Sequence, residues 1–352
     1  MKGIQFSIGV QGWFANQPHT GIGQHTLGLV RALAKQKNIQ CGLIVPEPVK
    51  IKGIPSAWIK VVRPKKIWPK SLQKAYWERV QAPQALANLA LDWEYYPYPC
   101  PLPRQAPHLR AMTVHDTILW EDKRYHSPLK KQYLELTKHA LVDVDHLFSV
   151  SQSTKDSLGI PAASILPNAI EWPEGVLPKK PYQNALIYVG GYDLRKRVPE
   201  LVESFSALRK KHPELELLLV GKPHHVSKYY PPVPQAPGVK FLGALSPKDL
   251  AASLKSAWVF IHFSDSEGFN LPLLEAMTAG IPAIVRDLPV NREISQNTAL
   301  FIDPSSFRSL SATIKTLKDS KKRAEVIARQ KKVARQYSWE KTAKIFIKAL
   351  AR

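Results

Sequence analysis

Ser264–Pro282 reads SDSEGFNLPLLEAMTAGIP, and the rest of the chain is read outward from it. Trp258–Ile261, just before it, is a short apolar, β-branched and aromatic run of the kind that forms a buried strand. A polar loop follows and ends in Glu267, Gly268, Phe269 and Asn270. A short helix comes next: Asn270 suits its cap, Pro272 its first turn, and Gly280 and Pro282 stop it. A strand, a tight loop and a helix start together make an anion site, because the first helical N–H groups lack internal partners and the helix dipole favours negative charge there. Glu267 and Glu275 flank that start with seven residues between them. A positive cradle beside two carboxylates suits a phosphate joined to polyhydroxyl groups, as in a nucleotide-sugar.

For two glutamates at arbitrary spacing, Glu275 would be read as a solvated helix residue and Gly268 merely as a turn. Here the whole string resembles the E-x7-E segment of the family-4 retaining glycosyltransferases, with Asn270 where that family usually has glycine. Asparagine keeps the backbone N–H and tolerates positive φ. The resemblance implies donor-binding roles for Gly268, Phe269, Asn270, Leu271 and Glu275, and a catalytic role for Glu267.

Upstream, Ala185–Val189 reads as a strand, Gly190 and Gly191 as a turn, and the residues after Val198, through Ser204 to about Lys211, as helix. Arg195 and Lys196 stand between strand and helix. A surface run of this kind is usually solvated charge, but its position resembles the family's basic pair that grips the donor diphosphate. Two fixed cations and a helix N-terminus can neutralise a leaving diphosphate, so no metal and no cofactor is implied. Asp143 and Asp145 form an Asp-x-Asp before a strand, which reads as turn chemistry.

At the other end of the chain, Ile4–Val10 reads as a strand, Gln11–Gly23 as a glycine-bearing loop and Gln24–Lys37 as a helix, the opening of a doubly wound α/β domain. A Gly-x-Gly turn alone is weak. Followed by this helix, it resembles the family's N-terminal loop, which implies donor-binding roles for Gly21, Ile22 and Gly23. Met112–Val114 reads as a strand ending in His115, and ligands in open α/β sheets lie beyond strand C-termini. The string TVHD resembles the family's strand-HD segment, which implies that His115 lies against the donor sugar.

The resemblance implies the GT-B architecture, an α/β fold of two Rossmann-like doubly wound domains facing across a cleft. The expected organisation is an acceptor-side domain over 1–170, a linker over 171–183 and a nucleotide-sugar domain over 184–335. A helix over 336–352 is expected to cross back to the first domain. The implied activity is retaining transfer of a hexose, mannose or glucose, from a UDP- or GDP-sugar to a glycan or lipid-linked acceptor.

Totals bound the alternatives. A chain of 352 residues suggests two domains. Cys41 and Cys100 give no disulfide framework or metal-site spacing, which fits a reducing cytoplasm. No apolar run has the length of a membrane span, and the N-terminus does not read as a signal peptide. The net charge of +22 calls for an anionic partner. Between Pro48 and Trp77 there is no acidic residue. Eight basic residues from Lys50 to Lys74 are interleaved there with Trp58, Trp68, Tyr76 and Trp77. This pattern suits an anionic membrane surface on the inner face of the membrane. A solvated basic face and single-stranded nucleic acid are the other readings. A nucleic-acid or anionic-ligand binding module, and an epimerase or phosphorylase on the same fold, are the alternative functions.

Overall fold

The computed structural model describes residues 6–67, 70–121, 127–178, 184–222, 232–304 and 306–351. Trp68, the side chain of Lys70, and 179–183 of the expected linker lie outside the described residues. Two compact units divide the chain: Met1–Ala169 with Ser338–Arg352, and Ile170–Tyr337.

The first unit is built on β1 (Phe6–Gln11), β2 (Ile39–Val45), β3 (Ile59–Val61), β4 (Trp93–Tyr96), β5 (Leu109–Val114), β6 (His146–Ser149) and β7 (Ser164–Ile165). Their order is β3-β2-β1-β4-β5-β6-β7, and every pair is parallel. Parallel strands need crossovers, and helices covering both faces bury the strands completely. Ile8, Val10, Leu43, Ile44, Ala111 and Met112 are accordingly at 0% exposure. The second unit uses β8 (Ala185–Val189), β9 (Glu216–Val220), β10 (Val239–Gly243), β11 (Val259–His262), β12 (Ala283–Arg286) and β13 (Leu300–Ile302). Its order is β10-β9-β8-β11-β12-β13, again all parallel. Each sheet reverses its winding once, between β1 and β4 and between β8 and β11. In such sheets the crevice beyond the strand C-termini at the reversal is where ligands sit.

Three segments differ from the sequence reading. The first helix spans Gly21–Ala34, so Gly21, Ile22 and Gly23 form its opening turn rather than a loop before it. Thr20 makes this possible: its hydroxyl accepts from the Gly23 amide at 3.0 Å. Within the expected linker, Trp172 and Val176 pack against Ala251 and Ala252, and Lys255 donates to the Val176 carbonyl at 2.9 Å. Two apolar side chains in a polar stretch suffice to dock it on the second unit. The run SILPNAI, Ser164–Ile170, reads as a strand from its sequence, yet only Ser164–Ile165 pairs.

The helix Trp339–Leu350 follows the second unit in sequence but completes the core of the first. Ala343, Phe346 and Leu350 share one apolar cluster with Phe6, Leu29, Leu33 and Tyr95. Trp339 crosses the helix Gly21–Ala34 at Gly28, where a Cβ would lie 2.1 Å from the indole. Only glycine allows that approach.

Candidate functional site

The second unit brings its charged candidates together at the β8/β11 reversal. Beyond β8, Gly190 and Gly191 turn the chain, and the Tyr188 hydroxyl donates to the Gly191 carbonyl at 2.5 Å. Leu194–Lys196 then forms one 3-10 turn. Beyond β11 runs the loop to Glu267. The two segments are stitched by backbone: the Asp265 amide donates to the Arg195 carbonyl at 2.7 Å, and Arg195 Nη1 donates to the Ser266 carbonyl at 2.8 Å. Lys196 Nζ donates to Glu267 Oε1 at 2.5 Å, and Arg195 Nη1 lies 3.2 Å from Glu267 Oε2.

This is a buried ion triad, with the side chains of Lys196 and Glu267 each 8% exposed. Burial pushes the Glu267 carboxyl up, but Lys196, Arg195 and His262 together outweigh it and hold the group well below the usual carboxylate range. For Lys196, burial is the largest influence and lowers the ammonium, Glu267 opposes it, and Arg195 lowers it further. The short contact to an ionised carboxylate makes the charged pair the resting state.

Asp265, two residues before Glu267, accepts from both Arg197 and Arg286. Arg197 in turn donates to Glu200 at 2.8 Å. Four cations thus stand around one loop. Arg286 enters from the end of β12, a position that no spacing in the sequence connects with residue 265.

The helix Leu271–Ala279 follows. Asn270 has φ 61°, and its Oδ1 accepts from the Leu273 amide at 3.3 Å. Its Nδ2 donates to Asn291 Oδ1 at 2.8 Å. The side chain that stands in place of glycine is therefore turned into the protein and is 3% exposed. Phe269 is 4% exposed and packs edge-on against Tyr337 at 5.8 Å. Its ring is core, so any ligand contact it makes is through backbone.

Glu275, in the same helix, is also buried, and burial alone raises its carboxyl to about 7. Between pH 4.5 and 7 the unfolded chain gives up this proton while the native state keeps it. Stability is therefore expected to fall as pH rises through that window, by on the order of 3 kcal/mol for a shift of about 2.5 units. Glu275→Gln should remove the fall. Urea midpoints at pH 5 and pH 8 test this: equal pH dependence in wild type and variant would disprove the assignment.

The first unit holds the remaining candidates. Gly23 is buried, and its amide is committed to the Thr20 cap, so it is not available to a phosphate. Gly21 and Ile22 precede it at the same helix start. His115 follows β5, and its Nε2 lies 2.8 Å from the Pro97 carbonyl. A carbonyl only accepts, so the proton is on Nε2 and Nδ1 is left as an acceptor. Burial lowers His115 to about 4, with the Pro97 carbonyl opposing, so the ring is neutral near pH 7.

Behind it lies a buried polar chain that sequence reading missed. The His25 ring sits 4.8 Å from that of His115. Its Nδ1 is 2.8 Å from Asn168 Oδ1 and its Nε2 2.7 Å from the Tyr95 hydroxyl, which reaches Thr113 Oγ1 at 2.6 Å. A second buried cluster centres on Glu78. Tyr98 and Tyr133 donate to it at 2.5 and 2.8 Å, and Lys74 lies at 3.2 Å.

One other reading changes. Trp77 is fully buried and donates to the Val62 carbonyl at 2.6 Å, so it is a core residue rather than a membrane anchor. Asp145 accepts from the Arg110 amide at 2.8 Å, as a turn residue does. Among the described residues no group of three or more His, Cys, Asp or Glu is placed to hold a metal ion. Among them, too, no helix is long and apolar enough to cross a membrane.

Residues 174–333 match the family Glycosyl transferases group 1. The chain is 26% identical over 363 aligned positions to an O-antigen chain mannosyltransferase B of Escherichia coli, covering 92% of this chain and 93% of that one. It is 25% identical to the O-antigen chain mannosyltransferase RfbU of Salmonella typhimurium, covering 62% and 64% respectively. Among solved structures, Anabaena HepE in complex with UDP and glucose superposes with a TM-score of 0.71 at 15% identity, covering 98% of this chain and 99% of that one. At that identity the likeness speaks for the fold, which is GT-B.

Proposed function

Since the chain is a glycosyltransferase of group 1 that draws on a nucleotide-sugar, we propose that it transfers mannose, with retention, to a glycan acceptor carried on a lipid. The observation that carries the reading is the convergence of Arg195, Lys196 and Glu267 at the β8/β11 reversal. The sugar is suggested by the two mannosyltransferases it resembles.

In this reading the second unit is the nucleotide-sugar unit and the first serves the acceptor. Arg195 and Lys196 hold the diphosphate, together with the amides at Gly268, Phe269, Asn270 and Leu271. Gly21 and Ile22 offer further amides. Glu267 accepts from sugar hydroxyls and Glu275 from ribose hydroxyls, while Nδ1 of His115 accepts from a substrate hydroxyl. The sugar–phosphate bond loosens towards an oxocarbenium-like state. The leaving phosphate oxygen, its charge held by fixed cations, takes the proton of the attacking hydroxyl on the same face. Positioning and preorganised charge supply the rate.

A membrane-facing acceptor fits the exposure of Lys60, Arg63, Lys65 and Lys66 beside Val61 and Leu72, each 40% exposed. Basic residues near an anionic surface contribute about 1 kcal/mol each.

The test is a thermal-shift series with GDP-mannose, UDP-glucose and ADP-glucose, repeated with anionic vesicles at low salt. GDP-mannose is expected to stabilise by about 2.7 kcal/mol at roughly a hundred times its Kd, and the vesicles to sediment with the protein. A response to none of the nucleotide-sugars would overturn the donor reading. Absence of co-sedimentation would overturn the membrane reading alone.

A further inference from the structure

His262, the last residue of β11, is fully buried, yet neither ring nitrogen has a hydrogen-bond partner among the described residues. Its ring is stacked on Tyr188 at 5.4 Å and 7° and on Phe260 at 5.9 Å and 12°. These neighbours fix its plane and leave only its edge to act. That edge faces the ion triad: Nε2 is 3.7 Å from Glu267 Oε1, the oxygen that Lys196 occupies at 2.5 Å. The gap is a few tenths of an ångström beyond a hydrogen bond. An unsatisfied buried polar group is costly, and such a group in a folded protein calls for a use in another state.

We propose that His262 is a positioning residue: when a nucleoside diphosphate draws Lys196 away, Nε2–H of His262 becomes the donor that holds Glu267 Oε1. This rests on the reading that Lys196 grips the diphosphate and Glu267 the sugar. In the resting state both cations that would meet the donor are engaged by Glu267. An arriving diphosphate competes for the same ammonium and repels the carboxylate it leaves. Glu267 then needs a partner that supplies a hydrogen bond without a charge that would itself bind phosphate. A neutral imidazole does this. Burial and the nearby Lys196 hold His262 down to about 3, so it stays neutral near pH 7. With Nε2–H aimed at Oε1, the carboxylate remains ionised and fixed as an acceptor for sugar hydroxyls.

The test combines spectroscopy and substitution. In protein labelled with ¹⁵N-histidine, saturating GDP or UDP should move the Nε2–H resonance of His262 downfield, with the signal assigned by its loss in His262→Phe. An unchanged resonance with both nucleotides bound would overturn the proposal.

With GDP-mannose or UDP-glucose as donor, His262→Phe keeps a flat ring in the slot but removes the nitrogen. It should lower kcat about tenfold while changing the donor KM less than about twofold. Gln, whose amide reaches the Nε2 position, should recover activity to within about threefold, and Asn, which reaches only Nδ1, should not. Equal loss in the Phe and Gln variants would mean a packing role only, and wild-type kcat in the Phe variant would mean none. Either result sinks the proposal. Full activity in Glu267→Gln would instead sink the reading on which it rests.

Discussion

Glu267→Gln is expected to lower sugar transfer by about 10²-fold or more, the scale seen when one preorganised polar group is taken from an active site. The amide has the size of the carboxylate and can still accept from Lys196, so the loop from Ser264 to Asn270 should keep its course. What disappears is the charge. A neutral amide accepts weakly from sugar hydroxyls and does not stabilise positive charge developing at the anomeric carbon. Lys196→Met should be at least as damaging, for a second reason. It leaves Glu267 buried with Arg195 at 3.2 Å as its remaining close cation, and breaking a buried pair from one side costs about 3–5 kcal/mol. Each variant breaks the buried ion group from one side, so both should lose stability as well as turnover. The Gln variant should lose less stability, because its amide oxygen still accepts from Lys196. Wild-type turnover by the Gln variant would disprove the role of Glu267.

Gly23→Ala is expected to disrupt the first unit more than its size suggests. A Cβ there would meet the Gln17 carbonyl oxygen at 2.1 Å and the Phe14 carbonyl oxygen at 2.9 Å. Both are backbone and cannot swing aside. Relief requires moving the 3-10 turn Trp13–Asn16 off the helix it covers, and overpacking of this kind typically costs about 1–3 kcal/mol. The same movement would drag the amides of Gly21 and Ile22. The expected result is a lower urea midpoint together with loss of transfer. Unchanged stability would show that the turn is free to move, and would return Gly23 to the role of ligand-facing glycine that its motif suggests.

The two glycine motifs show what was legible and what was not. In the second unit, strand, turn and helix signals were local, and the triad could be anticipated because Arg195, Lys196 and Glu267 all stand just beyond strands. Their 2.5 and 3.2 Å contacts follow from β8 and β11 being neighbours, which is a property of the sheet order. The same property hid His262, Asp265 and Arg286. Each reads locally as an unremarked polar residue at a strand end, and each acquires a role only when β8, β11 and β12 lie side by side. In the first unit, composition misled at Trp77. A tryptophan among lysines looks interfacial, but the π-helical turn Trp77–Gln81 and the Val62 carbonyl take it into the core. Gly23 misled differently: the motif was present, but Thr20 had already taken its amide.

The closing helix of the first unit also constrains the order in which the protein can be made. The ribosome delivers the whole of the second unit, Ile170–Tyr337, before it delivers Trp339, Ala343, Phe346 and Leu350. The half of the chain that is started first is thus finished last. It must wait with the slot over Gly28 uncovered while its partner has every residue it needs to fold.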